Sequence, residues 1–528
     1  MEVPTIFWVV MTAIAAVIPI WAWHMLNKLW LRPKRLEKLL IAQGLRGDPY
    51  KLLSGDNSKQ MYMLKMQQEA KSKSTGLSKD DAAPRIFSPI HETINQYGKN
   101  SFFWDGTKLH VVITDPVEIK EVLSKMNDFP KQKLNNPIAK YFMTGLASYE
   151  GEKWAKHRKI INPAFHLENM KGMLPAFVES CHDMISKWKG IMFNSSLDGT
   201  CEIDVWPSLQ DLSRDAISKT AFGSSYAEGT KIFELLKRLG YLILTTQRYT
   251  NIPIWWLLPT TTNKTIKKIK RDMHNSLEGI IEKRKKAWKN GETTKDDLLG
   301  TLLQASNIET QGQENMKKTN GMTTKEVIEE CRLFYLAGQE TVADLLVWTM
   351  VLLAKYPEWQ ERAREEVLQV FGNQIPNFEG LTRLKVVTMV LNEVLRLYPP
   401  ATNINRALEK DIKLGNISLP AGVHISIPLL LVHHDHDIWG DDAKEFNPER
   451  FSEGIAKATK GKVCYFPFGW GPRICIGQNF VILEAKIVFS MLLQNFSFEL
   501  SPTYAHVPTT LLTLQPKHGA PIILHRLY

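Results

Sequence analysis

Residues 468–477 read Phe-Gly-Trp-Gly-Pro-Arg-Ile-Cys-Ile-Gly, and this loop decides how the rest of the chain is interpreted. The apolar periodicity of Asn479–Phe496 predicts an amphipathic helix directly after it, which places Cys475 at a helix entrance. The unpaired N–H groups and the positive dipole end at such an entrance favour a thiolate over a thiol. The loop therefore predicts a reactive cysteine, and Arg473 beside it is placed to pair with an anion.

The composition is that of a packed globular protein. Of 528 residues, 44% are hydrophobic and 23% are charged, which argues against disorder, collagen-like repeats and a multi-span membrane protein. The five cysteines have no paired spacing, so neither a disulfide framework nor a zinc module is indicated, and a reducing compartment fits best. The net charge of +11 is spread along the chain without an aromatic-interleaved basic cluster, so no nucleic-acid partner is expected.

The amino terminus predicts a membrane anchor. Thr5–Met25 is a run of 21 residues without a formal charge, and a helix of that length covers roughly 30 Å, one bilayer crossing. Basic residues follow the run and only Glu2 precedes it, so the positive-inside rule keeps everything downstream in the cytosol. A cleaved signal peptide is the alternative, but the basic segment that should precede it is absent.

The remainder reads as one unit without internal repeats, in which helix predominates. Short strand-like runs such as Leu109–Thr114 occur in the first part, and long helices broken by prolines follow. The polar stretch Asn307–Thr323 predicts a flexible surface loop. Around Trp255 and Trp256 an apolar cluster has two interpretations, packing in the core or dipping into the membrane interface.

A second motif lies in the middle of an apolar helix. Thr323-Thr-Lys-Glu326 predicts a capping box that opens a helix running to Pro357. Within it, Ala337–Thr341 reads Ala-Gly-Gln-Glu-Thr; a glycine inside a helix costs roughly 1 kcal/mol relative to alanine, and polar residues interrupt the apolar run. Taken alone, the segment indicates either a close helix–helix contact or a functional site.

A charged pair, a further arginine and a histidine cluster follow. Glu393 and Arg396 are three residues apart and share one helix face, which by itself indicates a surface ion pair. Arg450 lies in the segment Pro448-Glu-Arg-Phe. His433-His-Asp-His436 invites a metal-site interpretation, but its spacing fits neither the HExxH helix nor a zinc finger.

The FxxGxRxCxG loop, the Ala-Gly-x-Glu-Thr segment and the ExxR and Pro-Glu-Arg-Phe motifs resemble the cytochrome P450 haem-thiolate monooxygenases. The resemblance extends over essentially the whole chain. It is strongest to the plant microsomal branch that contains secologanin synthase and the β-amyrin-derived triterpenoid oxidases. The segments Phe222–Glu228 and Leu514–Pro521 are most similar to those of the triterpenoid oxidases.

The resemblance implies a mainly α fold with small β-sheets (α+β), the cytochrome P450 fold, with a single catalytic domain behind an N-terminal transmembrane helix. The expected organisation is an anchor over residues 1–27, a basic, proline-containing linker over 28–50 and a haem-thiolate catalytic domain over 51–528. In the resembling family the histidine cluster is a surface connection.

The resemblance also implies a haem b group, iron protoporphyrin IX, with the Cys475 thiolate as the axial ligand of the iron. The residues expected to hold the haem are Cys475, Arg473, Trp154, Arg158, Arg406, Phe468 and Gly338. Glu393, Arg396 and Arg450 are expected to form a buried network that supports the haem loop, and Glu340 and Thr341 to organise the water that delivers protons. Val342 departs from the family pattern, in which a second hydroxyl residue that bears on the hydration of this groove is common.

The implied reaction uses O2 and electrons from NADPH, delivered by NADPH–cytochrome P450 reductase, and oxidises an unactivated C–H bond of a lipophilic terpenoid. An oleanane triterpenoid is the expected substrate, with an iridoid as the alternative. Substrate is expected at Leu336, Ala401, Asn403, Asn405 and Leu512, although the two asparagines equally fit a turn-capping role. The implied location is the endoplasmic reticulum membrane, single-pass, with the catalytic domain cytosolic. Two rival functions are a non-oxygenating haem-thiolate isomerase or dehydratase, and a haem carrier or sensor.

Overall fold

The computed structural model describes residues 17–52, 86, 88–134, 136–195, 199–224, 226–246, 255–291, 297–311, 321–510 and 512–527. The α-helices, numbered along the chain, are α1 (Arg32–Ile41), α2 (Ser88–Tyr97), α3 (Pro116–Ser124), α4 (Pro137–Phe142), α5 (Gly151–Ile161), α6 (Leu167–Ser195), α7 (Val205–Phe222), α8 (Tyr226–Thr246), α9 (Thr261–Lys289), α10 (Leu298–Gln311), α11 (Thr324–Lys355), α12 (Pro357–Phe371), α13 (Phe378–Arg383), α14 (Val386–Leu397), α15 (Leu429–His433), α16 (His436–Trp439), α17 (Ile455–Ala458) and α18 (Gln478–Asn495). Residues 17–26 are also helical and reach α1 through the π-helical turn Asn27–Leu31.

The strands are short and form small sheets. They are β1 (Arg46–Gly47), β2 (Ser101–Asp105), β3 (Lys108–Val112), β4 (Thr200–Asp204), β5 (Ile404–Ala407), β6 (Ile412–Leu414), β7 (Ile417–Leu419), β8 (His424–Ile427), β9 (Phe496–Leu500), β10 (Pro508–Thr510), β11 (Leu514–Pro516) and β12 (Pro521–Arg526). Their sheet orders are β1-β2-β3-β8-β5, β4-β12-β9, β10-β11 and β6-β7. The predicted class, mainly α with small β-sheets, is confirmed.

One compact unit holds the described residues up to 132 together with residues 403–432. Its centre is the five-stranded sheet, in which β3 pairs antiparallel with β2 and parallel with β8. Phe102, Leu109, Val111 and Ile425 are fully buried in it. The strand expected over residues 109–114 is β3, at 108–112.

The second unit holds the described residues 133–402 and 433–527 and is built around α11. The predicted capping box is present, because Thr323 Oγ1 accepts from the Glu326 N–H at 3.2 Å and Glu326 accepts from the Thr323 N–H at 3.0 Å. α11 packs against α7, α14 and α18. Within the described residues, α11 is the helix that is long and apolar enough to cross a bilayer. However, 78% of its most apolar stretch is buried, as in the core helix of a globular protein.

Two sequence expectations are corrected or refined by the elements. The stretch expected as a loop from residue 307 begins as helix, since α10 continues to Gln311; residues 312–320 lie outside the described chain. In the tryptophan cluster, Trp255 is 5% exposed, whereas Trp256 is 38% exposed and Leu257 63%. One indole therefore packs in the core and its neighbour faces outward, and insertion of the outward part into the membrane interface stays a prediction.

Candidate active site

The cysteine loop folds back on itself before α18 begins. The Cys475 N–H donates to the Phe468 carbonyl at 2.8 Å, and the Cys475 side chain is exposed. Gly469 and Gly471 have φ values of 75° and 70°, in the left-handed region that glycine adopts without strain. The loop thus presents the sulfur outward, one turn before the N-terminus of a long helix.

Arg158, on α5, lies against this loop. Its Nη1 donates to the Ile474 carbonyl at 2.7 Å, on the residue next to the cysteine. Burial lowers the pKa of the Arg158 guanidinium, and the negative charge of Cys475 acts in the opposite direction. A fixed cation beside the cysteine favours the thiolate, the form that ligates a metal.

Arg473 supplies a second cation. Its Nη1 donates to the Tyr149 carbonyl at 2.7 Å, and Glu150 Oε2 lies 2.6 Å from Nη2, although not in line with an N–H bond. The guanidinium lies over the ring of Trp154 at 4.3 Å. Burial lowers the pKa of Arg473, while Glu150 raises it. The structure therefore brings Trp154, Arg158 and Arg473 together beside the cysteine, as the sequence expectation requires.

This donor set fits a haem. A haem iron takes a single thiolate from the protein, and its carboxylate side chains take guanidinium partners. Cys475 is exposed at a helix entrance, and two arginines flank its loop. Among the described residues no group of three or more His, Cys, Asp or Glu side chains is arranged to hold a metal ion, so the histidine cluster is not such a site.

The middle of α11 is more exposed than the buried stretches on either side of it. Ala337 is exposed within a core helix, and Thr341 Oγ1 donates to its carbonyl at 2.8 Å. A Cβ at Gly338 would stand 2.7 Å from the Ile217 side chain, so close packing of α7 requires glycine there. Gly338 therefore makes the close helix–helix contact that the motif allowed. Ala337 and Thr341 lie on the more exposed face of the helix. Val342 is fully buried and does not hydrate that face.

Glu340 faces a cavity of about 510 Å³ together with Leu336 and Leu512, all three expected at the site. Burial raises the pKa of the Glu340 carboxyl, and the Arg214 and Lys237 cations lower it in part. Aromatic and aliphatic residues form much of the wall, and this volume lies in the range of small-molecule sites. The further lining residues include Phe142, Trp206, Leu236, Tyr241 and Leu244.

A larger cleft of about 740 Å³ lies elsewhere and contains no residue expected at the site. Its walls include Glu168, Glu179, Lys219 and Asp297. Its charged side chains have ion-pair partners of their own; Lys219, for example, lies 2.8 Å from Asp215. The smaller cavity beside Leu336 and Glu340 is the better candidate for an apolar ligand.

The ExxR pair is buried and bidentate. Arg396 Nε and Nη2 donate to the two oxygens of Glu393, each at 2.7 Å, and both residues are 0% exposed. Arg450 Nε lies 3.4 Å from Glu393 Oε1, and the Asn447 N–H donates to the same oxygen at 3.0 Å. The structure thus joins all three charged residues, and the surface ion-pair interpretation is wrong.

Sequence reasoning missed the part played by His433. Family resemblance places it on a surface connection, but it is 0% exposed. Its Nε2 lies 3.1 Å from the Phe466 N–H, so it accepts there, and its Nδ1 lies 3.2 Å from the Arg396 carbonyl. The imidazole is therefore neutral with its proton on Nδ1, and burial beside Arg396 lowers its pKa well below the usual range. His433 links the segment leading into the cysteine loop to the ExxR helix.

The remaining expected residues occupy less informative positions. Arg406 is a buried residue of β5 whose Nη1 donates to the Asn405 carbonyl at 3.0 Å. Asn403 Nδ2 donates to Asn405 Oδ1 at 3.1 Å and to Ser426 Oγ at 3.0 Å, which matches the alternative of a local structural role. Ala401 is exposed.

Three comparisons bear on the chain as a whole. A family model described as cytochrome P450 matches residues 79–521. An 11-oxo-beta-amyrin 30-oxidase of Glycyrrhiza uralensis is 72% identical over 99% of both chains, and one of Medicago truncatula is 67% identical over 98% of this chain and 97% of the relative. A structure of retinoic acid-bound cyanobacterial CYP120A1 has a TM-score of 0.72 over 92% of this chain and 99% of its own, at 22% identity, a likeness that concerns the fold alone.

Proposed function

Because the chain belongs to the cytochrome P450 family of monooxygenases, we propose that it oxidises an unactivated C–H bond of an oleanane-type triterpenoid. The observation that carries the proposal is the 72% identity, over 99% of the chain, to a relative named 11-oxo-beta-amyrin 30-oxidase. We therefore take 11-oxo-β-amyrin as the first substrate and carbon 30 as the expected position. The cavity beside Leu336 and Glu340 supports this choice, since its walls are rich in aromatic and aliphatic side chains.

A haem bound at Cys475 would supply the activation of O2. In this proposal Cys475 would hold the iron, and Arg158, Arg473 and Trp154, which the structure gathers beside the cysteine loop, would hold the haem carboxylates. The Thr341 hydroxyl and the Glu340 carboxyl handle protons, and the raised pKa of Glu340 keeps a proton available on that carboxyl closer to neutral pH. Glu393, Arg396 and Arg450 keep the loop in place.

The electrons come from NADPH through a membrane-bound NADPH–cytochrome P450 reductase, and the chain is anchored in the endoplasmic reticulum by residues 1–27. The described end of that segment supports an anchor: Ile20, Trp21 and Trp23 are each more than 60% exposed, at 69%, 63% and 64%. Apolar side chains displayed in this way on a helix are stable in lipid rather than in water.

The test is expression in microsomes with a plant reductase, followed by feeding of 11-oxo-β-amyrin or a loganin-type iridoid and mass analysis of the products. We expect the triterpenoid to gain oxygen only when NADPH and O2 are both present. Conversion without either would indicate the non-oxygenating alternative. Conversion of the iridoid alone would overturn the proposed substrate.

The haem assignment is tested separately by Cys475→Ser. We expect the carbon monoxide complex of the reduced wild-type protein to show the red-shifted Soret band of a thiolate-ligated haem, and the serine variant to lose both this band and product formation. Cys464→Ser is the matched control, because Cys464 is buried near the same loop and burial raises its thiol pKa to about 11. A band that survives in Cys475→Ser would contradict the proposal.

A further inference from the structure

A buried acid on α11 has no part in the site described so far. Asp344 is 0% exposed, and neither of its oxygens completes a hydrogen bond within the described residues. It lies one turn from Glu340 and one turn from Trp348, so the three side chains share one helix face. An ionised carboxylate enclosed in this way would be strongly destabilising, whereas the neutral acid offers one O–H donor and one carbonyl acceptor.

Thr513 is the polar neighbour of this acid. Burial raises the pKa of Asp344 well above its usual range; the Thr513 hydroxyl opposes this shift and the charge of Glu340 adds to it. Thr513 Oγ1 is also buried and, in the described structure, has no well-formed hydrogen bond. A neutral acid and a hydroxyl have complementary donors and acceptors. Geometry also brings them to the same level of α11, because Trp348, one turn from Asp344, is bonded to Leu514, the residue after Thr513.

Thr513 adjoins a wall of the candidate cavity. Leu512, the preceding residue, lines the cavity, and its Cδ1 lies 3.4 Å from the position of a Cβ at Gly240 of α8. Leu514, the residue after Thr513, is fixed to the core. Trp348 Nε1 donates to its carbonyl at 2.7 Å, and its N–H donates to the Pro400 carbonyl at 3.1 Å. Thr513 is therefore the single residue between the fixed Leu514 and the cavity-lining Leu512, so a bond at Thr513 bears on the position of Leu512.

We propose that Asp344 and Thr513 form a polar latch that sets the position of Leu512 in the cavity wall and thereby determines which carbon of the substrate is presented for oxidation. The inference rests on the proposed function for the identity of the substrate. It makes Asp344 and Thr513 positioning residues, since they act through Leu512. On this face of α11, Glu340 then handles protons, Asp344 positions the cavity wall and Trp348 holds β11.

Hydrogen exchange tests the latch without any substrate. The full-length protein and its variants Asp344→Val and Thr513→Val, which remove the polar atoms, are compared by mass spectrometry over residues 508–516; Thr513→Val also keeps the shape of the side chain. We expect exchange in this segment to become about tenfold faster in both variants, as for the loss of one buried hydrogen bond. The double variant should be no faster than either single one, because both changes remove the same bond.

The conservative variants Asp344→Asn and Thr513→Ser are the matched controls. Both retain a donor and an acceptor, so we expect wild-type exchange. Each variant is first checked for the carbon monoxide spectrum of the intact haem protein, and Thr513→Val serves if Asp344→Val does not fold. Wild-type exchange in the valine variants, or additive effects in the double variant, would overturn the latch.

Product analysis tests the consequence for selectivity. With 11-oxo-β-amyrin, we expect the ratio of the main oxidised position to the next to fall about tenfold in the two valine variants and to stay near the wild-type ratio in the conservative ones. Faster exchange with an unchanged ratio would overturn the role in selectivity. If the wild-type protein oxidises no triterpenoid, the proposed function fails, and the exchange measurement still decides whether the latch exists.

Discussion

At the scale of the residue, Arg396 of the ExxR motif stabilises the fold through hydrogen bonds to backbone groups that are distant in sequence. Besides its two bonds to Glu393, its guanidinium donates to the carbonyls of His433, Ala443 and Glu445. Each of these acceptors follows α14 in the chain and leads toward the cysteine loop. A planar guanidinium with a rigid fork of donors is suited to so many directions, and an ammonium is not.

We therefore expect Arg396→Lys to be severely destabilising although it keeps the charge. Breaking a buried, fully bonded ion pair of this kind costs about 3–5 kcal/mol, because the Glu393 carboxylate loses its bidentate partner. Thermal unfolding and the yield of the carbon monoxide-binding form measure the loss.

Arg362→Lys is the control for that substitution. Arg362 pairs with Glu449 at 3.1 Å, but the two side chains are 47% and 54% exposed, and exposed pairs contribute only about 0–1 kcal/mol. Equal effects at positions 362 and 396 would show that burial of the ExxR pair has no energetic weight.

At the scale of the element, β3 and β8 bring two histidines face to face. His110 and His424 are paired in register, with ring centroids 4.9 Å apart, and Phe103 stacks on the other side of His110 at the same distance. Burial lowers the pKa of His110 from 6.5 to about 3, and His424 and Lys108 add to the effect. Burial likewise lowers the pKa of His424 to about 4.

This stack predicts a loss of stability in mild acid. Above about pH 6.5 both the folded and unfolded forms of His110 are neutral; below that value only the unfolded chain takes up the proton, so stability falls as the pH falls toward 3. At pH 5 the contribution of His110 is a loss of about 2 kcal/mol. Chemical denaturation at pH 7.5 and 5 should show it, and His110→Phe, which keeps the ring stack, should reduce the difference.

His436→Gln is the matched control, because the His436 side chain is 67% exposed. We expect this variant to keep the wild-type dependence on pH. A dependence that is the same in wild type, His110→Phe and His436→Gln would show that the buried stack does not govern acid stability.

At the scale of the whole molecule, the helical stretch from residue 17 through α1 has an exposed part and a buried part. Ile20, Trp21 and Trp23 are exposed, whereas Leu36 and Leu40 of α1 are buried at 8% and 0% exposure. The Tyr50 hydroxyl donates to the Leu29 carbonyl at 2.6 Å, which marks where attachment to the first unit begins. We therefore expect membrane association and folding to depend on different parts of the same helical stretch.

Removal of residues 1–27 should accordingly release the protein from membranes without unfolding it. We expect the truncated protein in the soluble fraction, with the carbon monoxide spectrum of the full chain, because the bond to Leu29 and the buried face of α1 remain. Removal of residues 1–41 is the comparison: it deletes α1 and should lower the yield of spectrally intact protein. If the protein that lacks residues 1–27 still sediments with membranes, the protein has a further membrane contact.

Local sequence determined the features that depend on spacing along one element. The capping box of α11, the helix after Cys475 and the shared face of Glu393 and Arg396 follow from backbone periodicity and from caps that involve neighbours in the chain. Resemblance added the grouping of Trp154, Arg158 and Arg473 around the cysteine, for which spacing alone offers no reason.

Only the tertiary structure decided the contacts between elements far apart in sequence. Periodicity tells which side chains share a face, but not which other face packs against it. For this reason the identity of Ile217 as the partner of Gly338, the link from His433 to Phe466 and the complete burial of Asp344 had no sequence signal. These residues owe their chemistry to burial, and burial is a property of the packed chain.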